Sequence, residues 1–147
     1  MRLLALVSLA ALQLGCSKTS PMDALLTREV TLPGGQIIRA ETAVDTRDVL
    51  RGLAFRDSLP ADHGLLYVHA KTGYYGYWMY QVNFSLDMIW MDDNHTIVEM
   101  VENAPPCKTA ASKCPHYGGQ RPARYVLETN SGLIHKYGLQ VGQTIAW

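Results

Sequence analysis

The sequence predicts a mainly β domain, a compact β-sandwich or barrel-like fold of about eight short strands with two short helices. Three observations support this fold class. The apolar residues fall into short runs that are bounded by Gly, Pro, Asn or Asp turn residues. Only two segments carry helix-capping signals. The chain has 147 residues, enough for one domain, and it shows no internal repeat.

The first elements are predicted to be a hairpin and a helix. Two β-prone runs, 28–32 and 36–43, flank the Pro-Gly-Gly turn at 33–35. Asp45 can cap the helix that follows, and an acid in the first turn suits the helix dipole. The helix is expected to end at 58–60. Its predicted apolar face consists of Val49, Leu50, Leu53 and Ala54.

The remaining elements are predicted to be strands, apart from one short helix. The strand patterns lie at residues 64–69, 77–80, 86–91, 96–101, 124–129 and 144–147. Ser131 is predicted to cap a helix that ends at Tyr137. Gly138 then takes the left-handed position that commonly follows a helix.

The N-terminus predicts export and a lipid anchor. Arg2 precedes an apolar run that is too short for a bilayer-spanning helix, which needs roughly 20 residues, but suits a secretory signal. The run ends at Leu-Gly-Cys, which resembles a bacterial lipobox, although Gln13 stands where an aliphatic residue is usual. We expect a signal peptide over 1–15, a lipid-anchored tether over 16–26 that starts at acylated Cys16, and a single β-rich domain over 27–147. The alternative is an ordinary secreted protein with an incidental cysteine.

Charge balance limits the classes of partner. Thirteen basic residues face thirteen acidic ones, whereas nucleic acids and anionic membrane surfaces attract proteins with a basic excess. We therefore expect no nucleic-acid partner, and membrane contact through the N-terminal lipid only. The expected location is the cell envelope, as a lipid-anchored monomer that faces the periplasm or the cell exterior.

The other two cysteines, Cys107 and Cys114, lie in a loop rich in Pro, Gly and small residues. They are predicted to form a disulfide, since an exported protein meets an oxidising compartment. A zinc site is the alternative because His116 follows closely, but zinc usually takes four ligands with tight pair spacing. No metal and no cofactor is expected.

Four motifs in the right order resemble the signatures of the "domain of unknown function 192" family of bacteria and archaea. They are 51–56 with 59–60 and 64–67, then 78–79 with 86–89, then 122–128, and finally 138–139 with 141–142. Many members also carry a Pro-Cys and Cys-Pro-x-Tyr loop like that at 106–117. The resemblance implies a small, sandwich-like, often exported domain without an established activity. Residues 79–82 depart from the family's Met-Lys-Asn-Thr run, and Ser85 replaces its proline, so any ligand contact by the family's lysine and asparagine is altered.

Asp87 is the first candidate for a functional residue, because a carboxylate inside an apolar strand needs a partner. It is either structural, held by backbone N–H groups or by an arginine, or part of a ligand site. Its expected arginine partner is Arg124, ahead of Arg51 and Arg56. The aromatic tract at 73–80 is the second candidate, where rings either stack on a ligand or fill the core. The binding candidates are Trp78, Tyr80, Gln81, Asp87 and Arg124.

Catalytic motifs are missing from the sequence. The five histidines are scattered, and there is no nucleophile elbow, phosphate loop or dinucleotide fingerprint. The sequence therefore favours a non-enzymatic lipoprotein domain of the envelope that binds a small ligand or a partner protein. One alternative is a hydrolase-like periplasmic enzyme that uses Asp87 and an arginine, and another is a purely structural accessory protein.

Overall fold

A computed structural model describes residues 26–147. The predicted signal peptide, the acylated Cys16 and nearly all of the tether lie outside this range. The strands are β1 Thr27–Thr31, β2 Ile37–Ala43, β3 His63–Gly73, β4 Tyr77–Trp78, β5 Leu86–Met91, β6 Ile97–Ala104, β7 His116–Tyr117 and β8 Ala123–Asn130. The helices are α1 Thr46–Arg51 and α2 Leu133–Tyr137, and a single 3-10 turn covers Ala111–Lys113. None of these helices is long and apolar enough to cross a membrane.

Six of the strands form one mixed sheet in the order β1-β2-β3-β8-β5-β6, and β4 pairs with β7 in a separate two-stranded sheet. Neighbours in the large sheet are antiparallel except for β2 and β3. A parallel pair requires a crossover connection, and α1 with the segment after it supplies this connection. The mainly β class with about eight strands and two short helices is confirmed, and the strands of residues 26–147 do not close into a barrel.

The large sheet buries apolar side chains on both faces, since successive residues of a strand point to opposite sides. One side, which we call the α2 face, packs against α2 and the C-terminal segment. It includes Leu66, Ile89 and Leu127. The other side, the α1 face, is covered by the segment after α1 and by the chain around β4. It includes Leu65, Met88 and Val126, which pack with Leu53, Leu59 and Met79.

The first helix differs from its prediction. Asp45 does cap it, accepting a hydrogen bond from the Asp48 N–H at 2.9 Å, but α1 ends at Arg51 rather than near residue 58. Gly52 stops the helix with φ at +50°. No residue of α1 is buried, and Leu50 is 78% exposed, so the predicted apolar face is wrong within the helix proper. The buried residues Leu53 and Ala54 belong to the irregular segment that follows.

The C-terminal elements also differ from their prediction. Ser131 does not cap α2; the capping position is Gly132, and the Ser131 hydroxyl instead hydrogen bonds the Asn103 side chain. Gly138 has φ at +59°, which confirms its left-handed position after α2. The predicted strand at 144–147 is reduced to isolated bridges. The eighth strand is β7, which the sequence did not indicate.

Candidate functional site

A pocket of about 440 Å³ lies on the α1 face of the sheet. One wall is the end of α1 and the segment after it, residues 49–55. The other wall consists mainly of aromatic side chains from the chain around β4. Tyr67 of β3 and Glu128 of β8 form the floor. The volume falls within the range of small-molecule sites, roughly 300–1,000 Å³.

Glu128 is the buried acid at the floor. It shares its face of β8 with Val126, two residues earlier, and it is 3% exposed. Its Oε2 accepts a hydrogen bond from the Tyr67 hydroxyl at 2.8 Å. Burial raises the pKa of Glu128 to about 7, against the opposing effects of the Tyr67 hydrogen bond and the Arg56 charge. Glu128 is therefore present in both protonation states near neutral pH.

An ion pair stands beside this floor. Arg56 donates to both carboxylate oxygens of Glu41, at 2.5 and 2.8 Å. The Glu41 side chain is 1% exposed and that of Arg56 is 20% exposed. The hydrogen bond to Glu41 raises the pKa of Arg56. Both Nη atoms of Arg56 donate to Glu41, so the Glu41 carboxylate balances most of the positive charge of Arg56. Arg56 therefore offsets the negative charge of Glu128 only in part.

The rim of the pocket contains two non-glycine residues with positive φ. Phe55 has φ at +65° and Gln81 has φ at +61°. Such strain costs about 1–3 kcal/mol per residue and persists only where neighbouring contacts enforce it. The Phe55 N–H donates to the Gln81 carbonyl at 2.9 Å, and the Asn83 amide donates to the Arg56 carbonyl at 2.9 Å. This turn leaves Phe55 66% exposed at the mouth and directs Arg56 inwards to Glu41.

The aromatic wall is built from rings that support one another. The Trp78 ring centroid lies 5.7 Å from that of His116 and 5.4 Å from that of Tyr80. Tyr77 packs on Tyr67 with centroids 4.6 Å apart, and its hydroxyl is 2.8 Å from the His69 Nε2. Burial lowers the pKa of His69 and raises the pKa values of both tyrosines, so these groups are neutral near pH 7.

The Cys107–Cys114 disulfide is present, with Cα atoms 5.7 Å apart, which confirms its prediction. Zinc ligation by these thiolates is thereby excluded, and residues 26–147 contain no cluster of three or more His, Cys, Asp or Glu that could hold a metal. The backbone of Cys107 forms an isolated β-bridge with that of Tyr80. The loop closed by the disulfide leads directly into β7, whose pairing with β4 places His116 against Trp78. The disulfide thus holds one wall of the pocket.

Replacing both cysteines with alanine is expected to lower the free energy of unfolding by about 2–3 kcal/mol, because the unfolded loop regains its freedom. The same change should loosen the wall and increase acrylamide quenching of tryptophan fluorescence through Trp78, since Trp90 is fully buried and Trp147 packs on the α2 face. Denaturant unfolding and quenching of the two proteins provide the check. Reductant should reproduce both effects in the wild type and change nothing in the Cys107→Ala/Cys114→Ala variant. An unaltered unfolding midpoint would contradict this role.

Three of the five predicted binding residues, Trp78, Tyr80 and Gln81, line the pocket. The structure does not bring Asp87 and Arg124 to it. Asp87 is fully buried on the α2 face, where its Oδ1 accepts from the Asn103 N–H and its Oδ2 from the Ile134 N–H, both at 2.9 Å.

Arg124 instead pairs with exposed Asp93 at 3.0 Å, so its predicted pairing with Asp87 is wrong. The causes are register and strand alternation. Asp87 pairs with Thr129, five residues from Arg124 along β8, and it points to the side opposite Leu86 and Met88, which lie on the α1 face. Holding of Asp87 by backbone N–H groups, the other structural option, is what the structure shows.

Asp87→Asn is expected to lower the free energy of unfolding by about 1–3 kcal/mol, because an amide cannot accept from both backbone donors and one is left buried and unpaired. Asp93→Asn is the matched control, since Asp93 is exposed and should change stability by less than about 1 kcal/mol. Thermal melts of the three proteins give the comparison. A melting temperature of Asp87→Asn at or above that of the wild type would overturn the structural role of this carboxylate.

Sequence reasoning missed Glu128, the central polar residue of the pocket, and Glu41 beside it. A signal for Glu128 was available. It follows Val126 by two residues in a strand whose apolar positions alternate, so the period of two places its carboxyl on a buried face. Glu41 offers a weaker signal, because β2 buries Glu41, Thr42 and Ala43 in succession.

Comparisons with known proteins agree with this fold. The DUF192 family model, described as an uncharacterized ACR, matches residues 29–147. A Sinorhizobium meliloti 1021 protein, described provisionally as a transcription regulator, is 28% identical, with a TM-score of 0.73 over 83% of this chain and 94% of its own. A protein of unknown function from Novosphingobium aromaticivorans DSM 12444 is 23% identical, with a TM-score of 0.77 over 96% of this chain and 99% of its own. No curated protein matches the chain.

Proposed function

Because the chain belongs to the DUF192 family, which is uncharacterised, we propose its function from its own site: it is a non-enzymatic module that binds a small molecule in the pocket above Glu128. One observation carries this proposal. A nearly fully buried carboxyl that receives one hydrogen bond from the described part of the chain, from Tyr67, opens into an aromatic cavity of about 440 Å³. Ligand sites commonly combine an apolar concave lining with a few convergent polar groups in this way.

The composition of the pocket favours binding over catalysis. The enzyme alternative required Asp87 and an arginine in one cleft, but Asp87 lies on the other side of the sheet, and Arg56 is held by Glu41. Among the described residues that line the pocket, Glu128 is the one acid, and none is an activated nucleophile; nearby Glu41 does not line the cavity and is paired with Arg56. The Glu128 carboxyl can instead accept a hydrogen bond from an N–H or O–H group of a ligand in the cavity.

Location in the cell envelope is part of the same proposal, and it is supported by the lipobox-like sequence at Cys16. We expect Cys16→Ser to release the protein from the membrane fraction, because the acyl chains are the proposed anchor. Immunoblots of membrane and soluble fractions give the result. Ser17→Ala, next to the cysteine, is the control and should stay membrane-bound. Retention of Cys16→Ser in the membrane fraction would refute the lipid anchor.

The binding role is tested by screening ring-bearing fragments against the full chain with saturation-transfer NMR. Trp78→Ala removes an exposed part of the wall and should weaken the detected fragments at least about tenfold, because ring stacking on Trp78 is lost. Tyr74→Ala is the matched control, since Tyr74 is 71% exposed but does not line the pocket. The proposal fails if no fragment binds, or if the fragments bind wild type and Trp78→Ala equally.

A further inference from the structure

We propose that the pocket selects a small organic cation, a protonated amine on an apolar or aromatic body, with the ammonium group against Glu128 and the body between the rings. This inference rests on the proposed binding function and specifies the class of ligand. It depends on three features of the site: the free acceptor capacity of Glu128, the charge balance around it, and the aromatic wall.

Glu128 has acceptor capacity that the protein leaves unused. A carboxylate offers about four acceptor positions on two oxygens. Within residues 26–147, the hydrogen bond from the Tyr67 hydroxyl to Oε2 is the one that Glu128 receives. Glu128 also lines the cavity, so an N–H donor that reaches the floor can bind there without displacing a protein group.

The charges around Glu128 favour a positive ligand. Ionised Glu128 and Glu41 carry two negative charges, and Arg56 carries one positive charge, which leaves one negative charge at the floor. The other titratable groups that face the floor are neutral near pH 7: Tyr67, Tyr77 and His69. A buried unbalanced carboxylate is unfavourable, and a bound cation would offset that cost.

Arg51 and the exposed imidazole of His116 are the other basic groups that line the pocket. Both are exposed, so water screens their charge. They therefore oppose a cation at the floor only weakly. An anionic group placed at the floor would lie beside Glu128, and the charge balance of the floor disfavours this.

The aromatic wall suits a cation as well. The face of a Trp or Tyr ring carries negative potential and attracts an ammonium group within about 6 Å of its centroid. Tyr67 and Tyr77 flank the floor, and Trp78 with Tyr80 extends the ring surface towards the mouth. The rings and the Glu128 carboxylate both attract the positive charge of an alkylammonium ion. Together they favour it over a neutral molecule of the same shape.

Three probes that share a phenylethyl body test the ligand class: 2-phenylethylamine, 2-phenylethanol and 3-phenylpropanoate. Their dissociation constants are measured by NMR titration of the full chain at pH 8, where Glu128 is largely ionised and the amine is protonated. We expect the amine to bind at least about tenfold more tightly than the alcohol, and the carboxylate to bind more weakly than both. In Glu128→Gln the preference for the amine should fall to the roughly two- to fivefold that the rings alone supply.

Glu128→Asp keeps the charge on a shorter side chain and is the second variant. It should retain a larger preference for the amine than Glu128→Gln does, and one-dimensional NMR spectra confirm that both variants are folded. If the alcohol binds wild type as tightly as the amine, and Trp78→Ala weakens both, the cation proposal fails while the binding function stands. An amine preference that Glu128→Gln leaves undiminished would also refute it. If none of the three binds while other fragments do so through Trp78, the ligand class is again wrong.

Discussion

Arg56→Met is expected to lower the free energy of unfolding by about 3–5 kcal/mol, because it leaves the Glu41 carboxylate buried without its partner. Glu41 is 1% exposed on its side chain and receives both of its hydrogen bonds from Arg56. The loss should be partly reversed in the double variant Arg56→Met/Glu41→Met, where no uncompensated charge remains. Urea unfolding of the single and double variants measures the two effects.

Arg124→Met is the matched control, since the Arg124–Asp93 pair has side chains that are 37% and 52% exposed. Exposed ion pairs contribute about 0–1 kcal/mol, so this variant should unfold close to the wild type. Equal losses for Arg56→Met and Arg124→Met would contradict the buried character of the Arg56–Glu41 pair. A double variant no more stable than Arg56→Met would show that the loss comes from packing rather than from the unpaired charge.

Glu128→Gln is expected to stabilise the protein at pH 9 by up to about 3 kcal/mol. The pKa of Glu128 is about 7 in the folded protein, above its ordinary value of 4.5. The folded state therefore favours the protonated carboxyl. The contribution of this preference to the free energy of unfolding is fully present below pH 4.5 and is lost as pH rises through 7. Above pH 7 the ionised, buried group costs about 3 kcal/mol, which glutamine avoids while it still accepts from Tyr67.

The stabilisation should shrink as pH falls and disappear near pH 4, where Glu128 is protonated in the folded and unfolded states alike. Glu102→Gln is the control, because Glu102 is exposed and its replacement should give a difference of less than about 1 kcal/mol at every pH. Denaturant unfolding at several pH values yields the curves. A Glu128→Gln variant that is less stable than wild type at pH 9 would show that the ionised carboxylate stabilises the fold, which contradicts a carboxylate left unpaired for a ligand.

Most of the large sheet could be predicted from local patterns. Residues 28–32 and 36–43 around a Pro-Gly-Gly turn became the β1–β2 hairpin, and the run at 86–91, apolar except for Asp87, became the fully buried β5. β7 could not be predicted, because two residues are too few to show alternation and His116–Tyr117 is a strand only through its pairing with β4. The terminal segment 144–147 has strand-like residues but finds only single bridges to Thr31 and Thr96.

The site was predictable in part, for a physical reason. The density of aromatic residues pointed to Trp78 and Tyr80, and both line the pocket. Asp87 and Glu128 look alike in sequence, since each is an acid within an apolar strand. Their positions in the strand alternation place them on opposite faces of the sheet, and only the packing above each face decides their roles. Asp87 meets the backbone of α2, whereas Glu128 meets a cavity.

The strained turn at the rim shows how the fold supports the site. Phe55 and Gln81 are separated by 26 positions in sequence, and the hydrogen bond between them is visible only in three dimensions. No local pattern predicts left-handed backbone at a phenylalanine, because Gly and Asn are the usual residues there. The turn sets Arg56 against Glu41, and this leaves Glu128 as the unbalanced charge of the pocket.

The most direct test is a carboxyl ¹³C NMR titration of Glu128 in the full chain, with and without saturating 2-phenylethylamine. Without the amine, the midpoint should lie near pH 7, because burial holds the carboxyl protonated. With the amine, the midpoint should fall by at least one pH unit, since a bound cation favours the ionised form. A midpoint near 4.5 without the amine, or one that the amine leaves unchanged, would contradict a Glu128-centred cation site.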